Sequence, residues 1–138
     1  MIEVNHISCG CHPAGPSMQG MPPEALEQVA AYFQVLAEPT RLQILNLLRD
    51  GERNVGDIAR LCGYTAANIS RHLALLTQRG FVARENRGTS VYYRIADPSV
   101  YELCNLVCGN IGRQLGNVAR KQKVFELAAA PRRRSRSR

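Results

Sequence analysis

The segment that spans residues 54–78 reads NVGDIARLCGYTAANISRHLALLTQ and predicts two short helices joined by a tight turn. The first helix covers about 54–61, and its apolar residues at helical spacing are Val55, Ile58 and Leu61. Gly63 supplies the turn, and Thr65 is suited to cap a second helix over 66–78. The expected core-facing residues of the second helix are Ile69, Leu73 and Leu76. This arrangement is the helix-turn-helix signature.

A β-hairpin is predicted directly after this unit, because the hydrophobic period changes from about 3.6 to 2 beyond Gly80. Strands are expected over 81–85 and 90–95, and residues 86–89 (Asn-Arg-Gly-Thr) form the tip. A hairpin in this position is a β-wing.

Three more helices flank the unit. The first opens at 22–24 (Pro-Pro-Glu), and the next starts at 38–40 (Glu-Pro-Thr) and ends at 50–51 (Asp-Gly). A last helix opens at 97–98 (Asp-Pro) and runs to about residue 127. Its apolar stripe comprises Val100, Leu103, Val107, Ile111 and Val118. The predicted fold class is therefore mainly α with a β-hairpin wing, a winged helix-turn-helix.

A chain of 138 residues supports one compact domain, which we place at 22–127. Residues 1–21 are predicted to be a flexible arm that carries Cys9 and Cys11, because glycine and proline interrupt them. Residues 128–138 form an Arg-rich tail that is expected to be disordered. The tail either adds phosphate contacts, or stays solvated, or is foreign to the natural protein.

The bulk composition excludes several function classes. No apolar run reaches the roughly 18 to 20 residues of a membrane span, and the first residues lack a signal-peptide pattern, so a cytoplasmic location is expected. Removing the five arginines of the tail from the net charge of +7 leaves +2, so bulk charge alone does not indicate DNA binding. Enzyme signatures such as a phosphate loop or a nucleophile elbow are absent from the sequence, and we expect no enzyme.

The sequence resembles the ArsR/SmtB family of metal-responsive bacterial repressors. The matching segments are residues 36–45 (LAEPTRLQIL), 55–59 (VGDIA), 68–73 (NISRHL), 80–82 (GFV) and 87–93 (RGTSVYY). The likeness covers roughly residues 24–118 in the same order. It implies a homodimer whose interface is built by the first and last helices. A two-fold dimer in turn predicts an operator with inverted repeats on double-stranded DNA.

The second helix of the helix-turn-helix is the expected DNA-reading element, because its N-terminal end carries short polar and basic side chains. The candidate contacts are Thr65, Asn68, Ser70, Arg71 and His72. Asn68 is suited to adenine and Arg71 to guanine, whereas Ser70 is expected to bind phosphate. The alternative for Asn68 and His72 is a solvated helix face.

Two arginines near the wing tip are further candidates for DNA contact. Arg84 and Arg87 place positive charge where a phosphate or the minor groove would lie. The alternative is that a hairpin arginine is only exposed to solvent.

Five cysteines without a secretion signal indicate thiol chemistry or metal binding rather than a disulfide scaffold. Cys104 and Cys108 lie at positions i and i+4 of the last helix, so both thiolates share a face and suit one ion. The alternative is that both are small apolar residues of an interface. Cys9 or Cys11 is a candidate third ligand; otherwise the arm thiols are incidental or deliver the ion. Cys62 is expected to be a buried structural cysteine.

Sulfur donors select soft ions. As(III) and Sb(III) fit two or three thiolates most easily, while Cd(II) and Pb(II) usually want more donors and remain alternatives. The family resemblance narrows the site further, since the Cys-x-Cys pair of some relatives is replaced by RNVGD at residues 53–57. Relatives that sense zinc use Asp, His, His and an acid, whereas this chain has Asp97, Ser99, Asn110 and Arg113 at those positions. Zinc sensing there is disfavoured.

The sequence therefore predicts a dimeric repressor that leaves its operator when a soft ion binds cysteine thiolates. Two alternatives stay open. One is a repressor of the same fold that senses thiol oxidation or persulfide formation, although two cysteines one helical turn apart are poorly placed for a disulfide. The other is a winged-helix module that binds a protein and no DNA.

Overall fold

The computed structural model describes residues 17–129, apart from the side chains at 125, 128 and 129. The elements in chain order are α1 (Pro23–Leu36), α2 (Pro39–Leu48), β1 (Arg53–Asn54), α3 (Val55–Cys62), α4 (Ala66–Gln78), β2 (Val82–Arg87), β3 (Ser90–Ile95) and α5 (Ser99–Ala129). The prediction of a mainly helical fold with a β-hairpin wing is confirmed. The predicted arm falls outside the described residues as far as residue 16, and the predicted tail does so from residue 130.

Local hydrogen bonds start and stop the two helices of the helix-turn-helix. The side chain of Asn54 accepts from the Asp57 N–H at 2.8 Å and caps α3. Gly63 ends α3 in the left-handed conformation, with φ +73°, which a glycine adopts at no steric cost. The Thr65 hydroxyl then accepts from the Asn68 N–H at 3.2 Å, so Thr65 caps α4 as predicted.

The core lies between α2, α3, α4 and the sheet. Its fully buried members, each 0% exposed, are Ile44, Ile58, Ile69, Leu73 and Leu76. The prediction for α4 is therefore confirmed. Helix α2 is central to the domain, since it packs against α1, α3, α4 and β3.

The prediction for Leu61 is wrong, because this side chain is 44% exposed and Ala59 is buried in its place. An α-helix turns by about 100° per residue, which sets Leu61 roughly 200° from Ala59 around the axis of α3. The short helix α3 consequently faces the core with Ile58 and Ala59, and Leu61 faces away.

The sheet has three strands in the order β1-β3-β2, all antiparallel, whereas only the hairpin was predicted. The hairpin bounds also differ, because β2 extends to Arg87, which pairs with Ser90. Only Gly88 and Thr89 form the turn, and the φ of +60° at Gly88 suits the first central position of a type II′ turn. Arg87 therefore belongs to a strand and not to the hairpin tip.

Helix α5 is anchored to the domain through its first turns. Asp97 precedes it and accepts a hydrogen bond from the Ser99 N–H at 2.9 Å. Val100 is 1% exposed, and the Tyr101 hydroxyl donates to the Leu45 carbonyl at 2.8 Å. Farther along the helix the exposed apolar residues are Leu106, Val107, Ile111, Leu115, Val118, Val124 and Leu127. No helix in the described part of the chain has both the length and the apolar character that crossing a membrane would require.

Ile58 and Leu61 provide a matched test of the core on one helix. Ile58→Ala should lower the free energy of unfolding by about 2 to 5 kcal/mol, since the site is fully buried and a cavity would remain. Leu61→Ala should cost less than about 1 kcal/mol, because much of this side chain is already in water. Urea denaturation followed by circular dichroism measures both, and equal losses would contradict the described core.

Candidate DNA-binding surface and thiol site

The N-terminal half of α4 presents an exposed polar surface on the side opposite its buried face. Thr65, Ser70 and Arg71 are exposed, while Ile69 and Leu73 between and beyond them are fully buried. Arg71 makes no side-chain hydrogen bond or ion pair with another residue in 17–129, so its guanidinium group is available to an external acceptor. These three side chains lie where a major-groove contact would be made by a recognition helix.

Two of the candidates on α4 are less accessible than the sequence predicts. Asn68 is half-buried, and its Oδ1 atom is enclosed without a hydrogen-bond partner among the described residues. The side chain of His72 is 20% exposed, and its Nδ1 atom lies 3.7 Å from Glu38 Oε2. His72 thus faces the beginning of α2 instead of projecting from the helix.

Glu38 lies between the beginning of α2 and His72 of α4. Its carboxylate caps α2 by accepting from the Arg41 N–H at 2.9 Å. Burial acts to raise the pKa of Glu38, but the hydrogen bonds from Arg41 and Thr40 and the nearby His72 outweigh it and hold the pKa below its usual value. Glu38 therefore caps α2 with its carboxylate and lies beside His72 of α4.

The two candidate arginines of the wing lie on opposite faces of the hairpin. Arg84 pairs with Tyr93, whereas Arg87 shares its face with Glu85 and Tyr92, because side chains alternate along a strand. Arg84 is exposed and has no ion pair among residues 17–129. The guanidinium group of Arg87 instead binds two carboxylates, those of Glu52 and Glu85. Sequence reasoning missed Glu52, which is 35 residues away from Arg87 and carries no local signal.

Cys104 and Cys108 open onto one groove between α1, α2 and α5. Cys104 is half-buried and Cys108 is exposed, and both thiols are free. The groove has a volume of about 570 Å³ and is mainly apolar. Leu36 and Leu45 form part of its wall, and Arg49 is its charged lining residue. The structure thus brings the two predicted thiol ligands to one accessible cavity.

The surroundings of Cys104 affect its protonation in opposite directions. Burial and the neighbouring Cys108 raise the pKa of the Cys104 thiol, whereas the positive charge of Arg49 lowers it, and the net effect is a raised pKa. Arg49 is fixed in place by Tyr101, since its Cζ atom lies 4.4 Å from the ring centroid. The sequence did not single out Arg49, because it belongs to no recognisable motif. It becomes part of the site only because the end of α2 folds against α5.

A thiophilic ion fits this donor pair, because two sulfur atoms on adjacent turns of a helix are soft ligands. No group of three Cys, His, Asp or Glu side chains that could hold a metal occurs within the described range of 17–129. The candidate third ligands Cys9 and Cys11 lie outside that range.

Cys62 and the positions that some relatives use to bind zinc make contacts of their own. Cys62, which was expected to be buried, is only half-buried, although it packs against the core and burial raises the pKa of its thiol. Arg113 donates a hydrogen bond to the side chain of Asn110, and Asp97 is engaged with the backbone of Ser99.

Comparison with known proteins identifies relatives that are bacterial regulators with a winged helix-turn-helix fold. The family described as "Bacterial regulatory protein, arsR family" matches residues 38–84. The HTH-type transcriptional regulator Rv0324 of Mycobacterium tuberculosis is 42% identical over 94 residues, which are 68% of this chain and 42% of that protein. This chain thus spans less than half the length of Rv0324.

Two solved structures are also similar. One is the homodimeric winged helix-turn-helix DNA-binding domain of Mb0332 from Mycobacterium bovis, described as a possible ArsR-family regulator. It is 38% identical with a TM-score of 0.62, and the match covers 72% of this chain and 95% of that one. The other is the AntR antimony-specific transcriptional repressor, 28% identical with a TM-score of 0.63, covering 79% of this chain and 99% of that one. From the family match, these identities and the shared fold, this chain belongs to the arsR family of bacterial regulatory proteins.

Proposed function

We propose that this protein is a transcriptional repressor that binds an inverted-repeat operator as a homodimer and is released when As(III) or Sb(III) binds the thiolates of Cys104 and Cys108. The observation that carries the proposal is the position of the two thiols. They share one groove at the point where α5 leaves the domain core, next to the apolar surface that a second subunit would cover.

DNA binding is supported by the exposed surface of α4. Arg71 is suited to guanine and Ser70 to a phosphate, while Thr65 caps the helix end that would approach the groove. Arg84 adds a positive charge on the wing. Asn68 and His72 lie at the edge of this surface, and each needs a side-chain rearrangement to reach a base.

Dimerisation through α1 and α5 is supported by the apolar surface that the single chain leaves exposed. Spacings of four and three residues alternate along α5 and form a seam of Cys104, Cys108, Ile111, Leu115 and Val118, a pattern typical of helices that pack side by side. Charge is complementary as well. Helix α1 has Glu24 and Glu27 and no basic residue, whereas residues 113–123 of α5 carry four basic residues and no acid.

The choice of ion rests on the number and softness of the donors. Two thiols in the described residues, with Cys9 or Cys11 as the proposed third ligand, suit a trivalent metalloid that needs no fourth ligand. The likeness to an antimony-specific repressor favours the same choice. Cd(II) and Pb(II) are the alternatives, and they usually take more donors.

The coupling needed for release is small. Cys104 lies one turn beyond Val100 and Tyr101, which fix α5 to the core, and Cys108 lies one turn farther on the exposed part. Bringing the two thiolates together at one ion would constrain α5 at this point and so change how two subunits meet. A tenfold loss of DNA affinity requires only about 1.4 kcal/mol of coupling.

Arg71→Gln should weaken binding to the operator, because it removes a base contact worth about 1 to 3 kcal/mol. Arg60→Gln is the matched control, since Arg60 is also exposed, lies on the neighbouring helix and forms an ion pair with Asp57. Fluorescence anisotropy with the promoter fragment upstream of the protein's own gene measures both. Equal affinities of Arg71→Gln and wild type would contradict the proposed reading surface.

Titration of As(III) or Sb(III) into the protein–DNA complex should release the DNA from the wild type. The double variant Cys104→Ser/Cys108→Ser should remain bound at the same ion concentration, because serine offers no soft ligand. Cys62→Ser is the control and should respond as the wild type does, since Cys62 packs against the core. Release that persists in the double variant would overturn the assignment. Mass spectrometry after sulfide or peroxide treatment identifies a thiol-oxidation sensor instead.

Ile111→Asp should shift the protein from dimer to monomer, because it places a charge in the middle of the proposed seam. Asn117→Asp is the matched control, because it adds the same charge on an exposed position outside the seam. We expect the dissociation constant of the dimer to rise at least about tenfold for the first variant only, which corresponds to about 1.4 kcal/mol. Sedimentation velocity measures it, and two unchanged dimers would refute the interface.

A further inference from the structure

Arg87, the last residue of β2, donates three hydrogen bonds to neighbouring carboxylates. Its Nη2 atom lies 2.8 Å from Glu52 Oε2 and 2.9 Å from Glu85 Oε2, and its Nη1 atom donates to the other oxygen of Glu52. Its Cζ atom also lies 4.8 Å from the centroid of the Tyr92 ring. Two carboxylates thus neutralise the positive charge of Arg87, so its guanidinium group is not free to bind a phosphate.

The partners of Arg87 connect two separate parts of the fold. Glu85 and Tyr92 belong to the hairpin itself and pair with each other across β2 and β3. Glu52 lies in the loop between α2 and β1, next to Arg53, which pairs with Tyr93 of the sheet. The bidentate contact of Arg87 with Glu52 therefore ties the end of the wing to the domain core.

We propose that Arg87 is a positioning residue that braces the wing against the Glu52 loop, and that Arg84 on the opposite face makes the phosphate contact of the wing. The role of Arg84 rests on the proposed DNA-binding function, whereas the brace does not. The hydrogen bonds that Arg87 donates to Glu52 and Glu85 also raise the pKa of Arg87, which agrees with a guanidinium group held by these carboxylates.

Substitution of Glu52 distinguishes a brace from a phosphate contact, because the two roles predict opposite changes in DNA affinity. If Arg87 served the phosphate backbone, Glu52 would compete with DNA for it, and Glu52→Gln would strengthen binding. If Arg87 is a brace, Glu52→Gln loosens the wing and weakens binding. Asp50→Asn is the matched control, because it removes one negative charge from the same loop without touching Arg87.

The brace is first tested without DNA. Amide hydrogen exchange at the end of the hairpin should increase about threefold in Arg87→Gln and in Glu52→Gln, as expected for the loss of a well-formed exposed ion pair. The double variant should exchange no faster than Arg87→Gln alone, because without Arg87 the change at Glu52 breaks no further part of this contact. Arg84→Gln and Asp50→Asn should leave exchange unchanged. Unchanged exchange in Arg87→Gln would overturn the brace.

The second test measures binding to a mixed-sequence DNA duplex over a series of salt concentrations. Arg87→Gln should weaken binding about threefold relative to wild type, and Glu52→Gln about threefold relative to Asp50→Asn, both with the salt slope unchanged. Arg84→Gln should reduce the magnitude of the salt slope, the change in log binding constant per unit of log salt concentration, by about 0.9, the value for one phosphate contact. A lower slope in Arg87→Gln, or tighter binding of Glu52→Gln than of Asp50→Asn, would overturn the proposal. If the wild type binds no DNA, the proposed function fails, and hydrogen exchange alone decides the brace.

Discussion

The packing of α4 against α2 and α3 is the contact on which the rest of the structure depends. Ile69, Leu73 and Leu76 are inaccessible to water, so the helix cannot rotate without exposing a large apolar area. This fixed orientation directs Ser70 and Arg71 outward. Burying three aliphatic side chains of this size is worth several kcal/mol in total, at about 1.5 to 3 kcal/mol each. The polar surface of α4 is therefore a consequence of the core.

Helix α5 differs from α4, because only its first turns pack against the domain. Val100 is buried and Tyr101 is bonded to α2, but the apolar residues that follow lie open to solvent. A single chain leaves this surface uncovered, and large exposed apolar patches mark interaction sites. The thiols of Cys104 and Cys108 sit at the transition between the two parts. In the proposed mechanism this position lets a small ligand act on the subunit interface while the DNA-reading helix stays packed in its own core.

Regular packing could be predicted from the sequence, and contacts distant in sequence could not. The face of α4, the cap at Thr65 and the hairpin follow from periodicity and local chemistry. Strand β1 was missed because two residues show no period, and Leu61 was misplaced because α3 is too short for its pattern to fix which side faces inward. The pairing of Arg87 with Glu52 and the approach of Arg49 to Cys104 depend on how separate elements pack, so no local sequence pattern predicts either contact.

The central claim is that the thiolates of Cys104 and Cys108 bind the effector directly. X-ray absorption at the arsenic edge, recorded on the wild-type protein loaded with As(III), tests it most directly because it counts the sulfur atoms bound to arsenic. Direct binding predicts two or three sulfur ligands in the wild type and at most one in the Cys104→Ser/Cys108→Ser variant. A first shell of oxygen or nitrogen alone, or a sulfur shell that is identical in the two proteins, would contradict it.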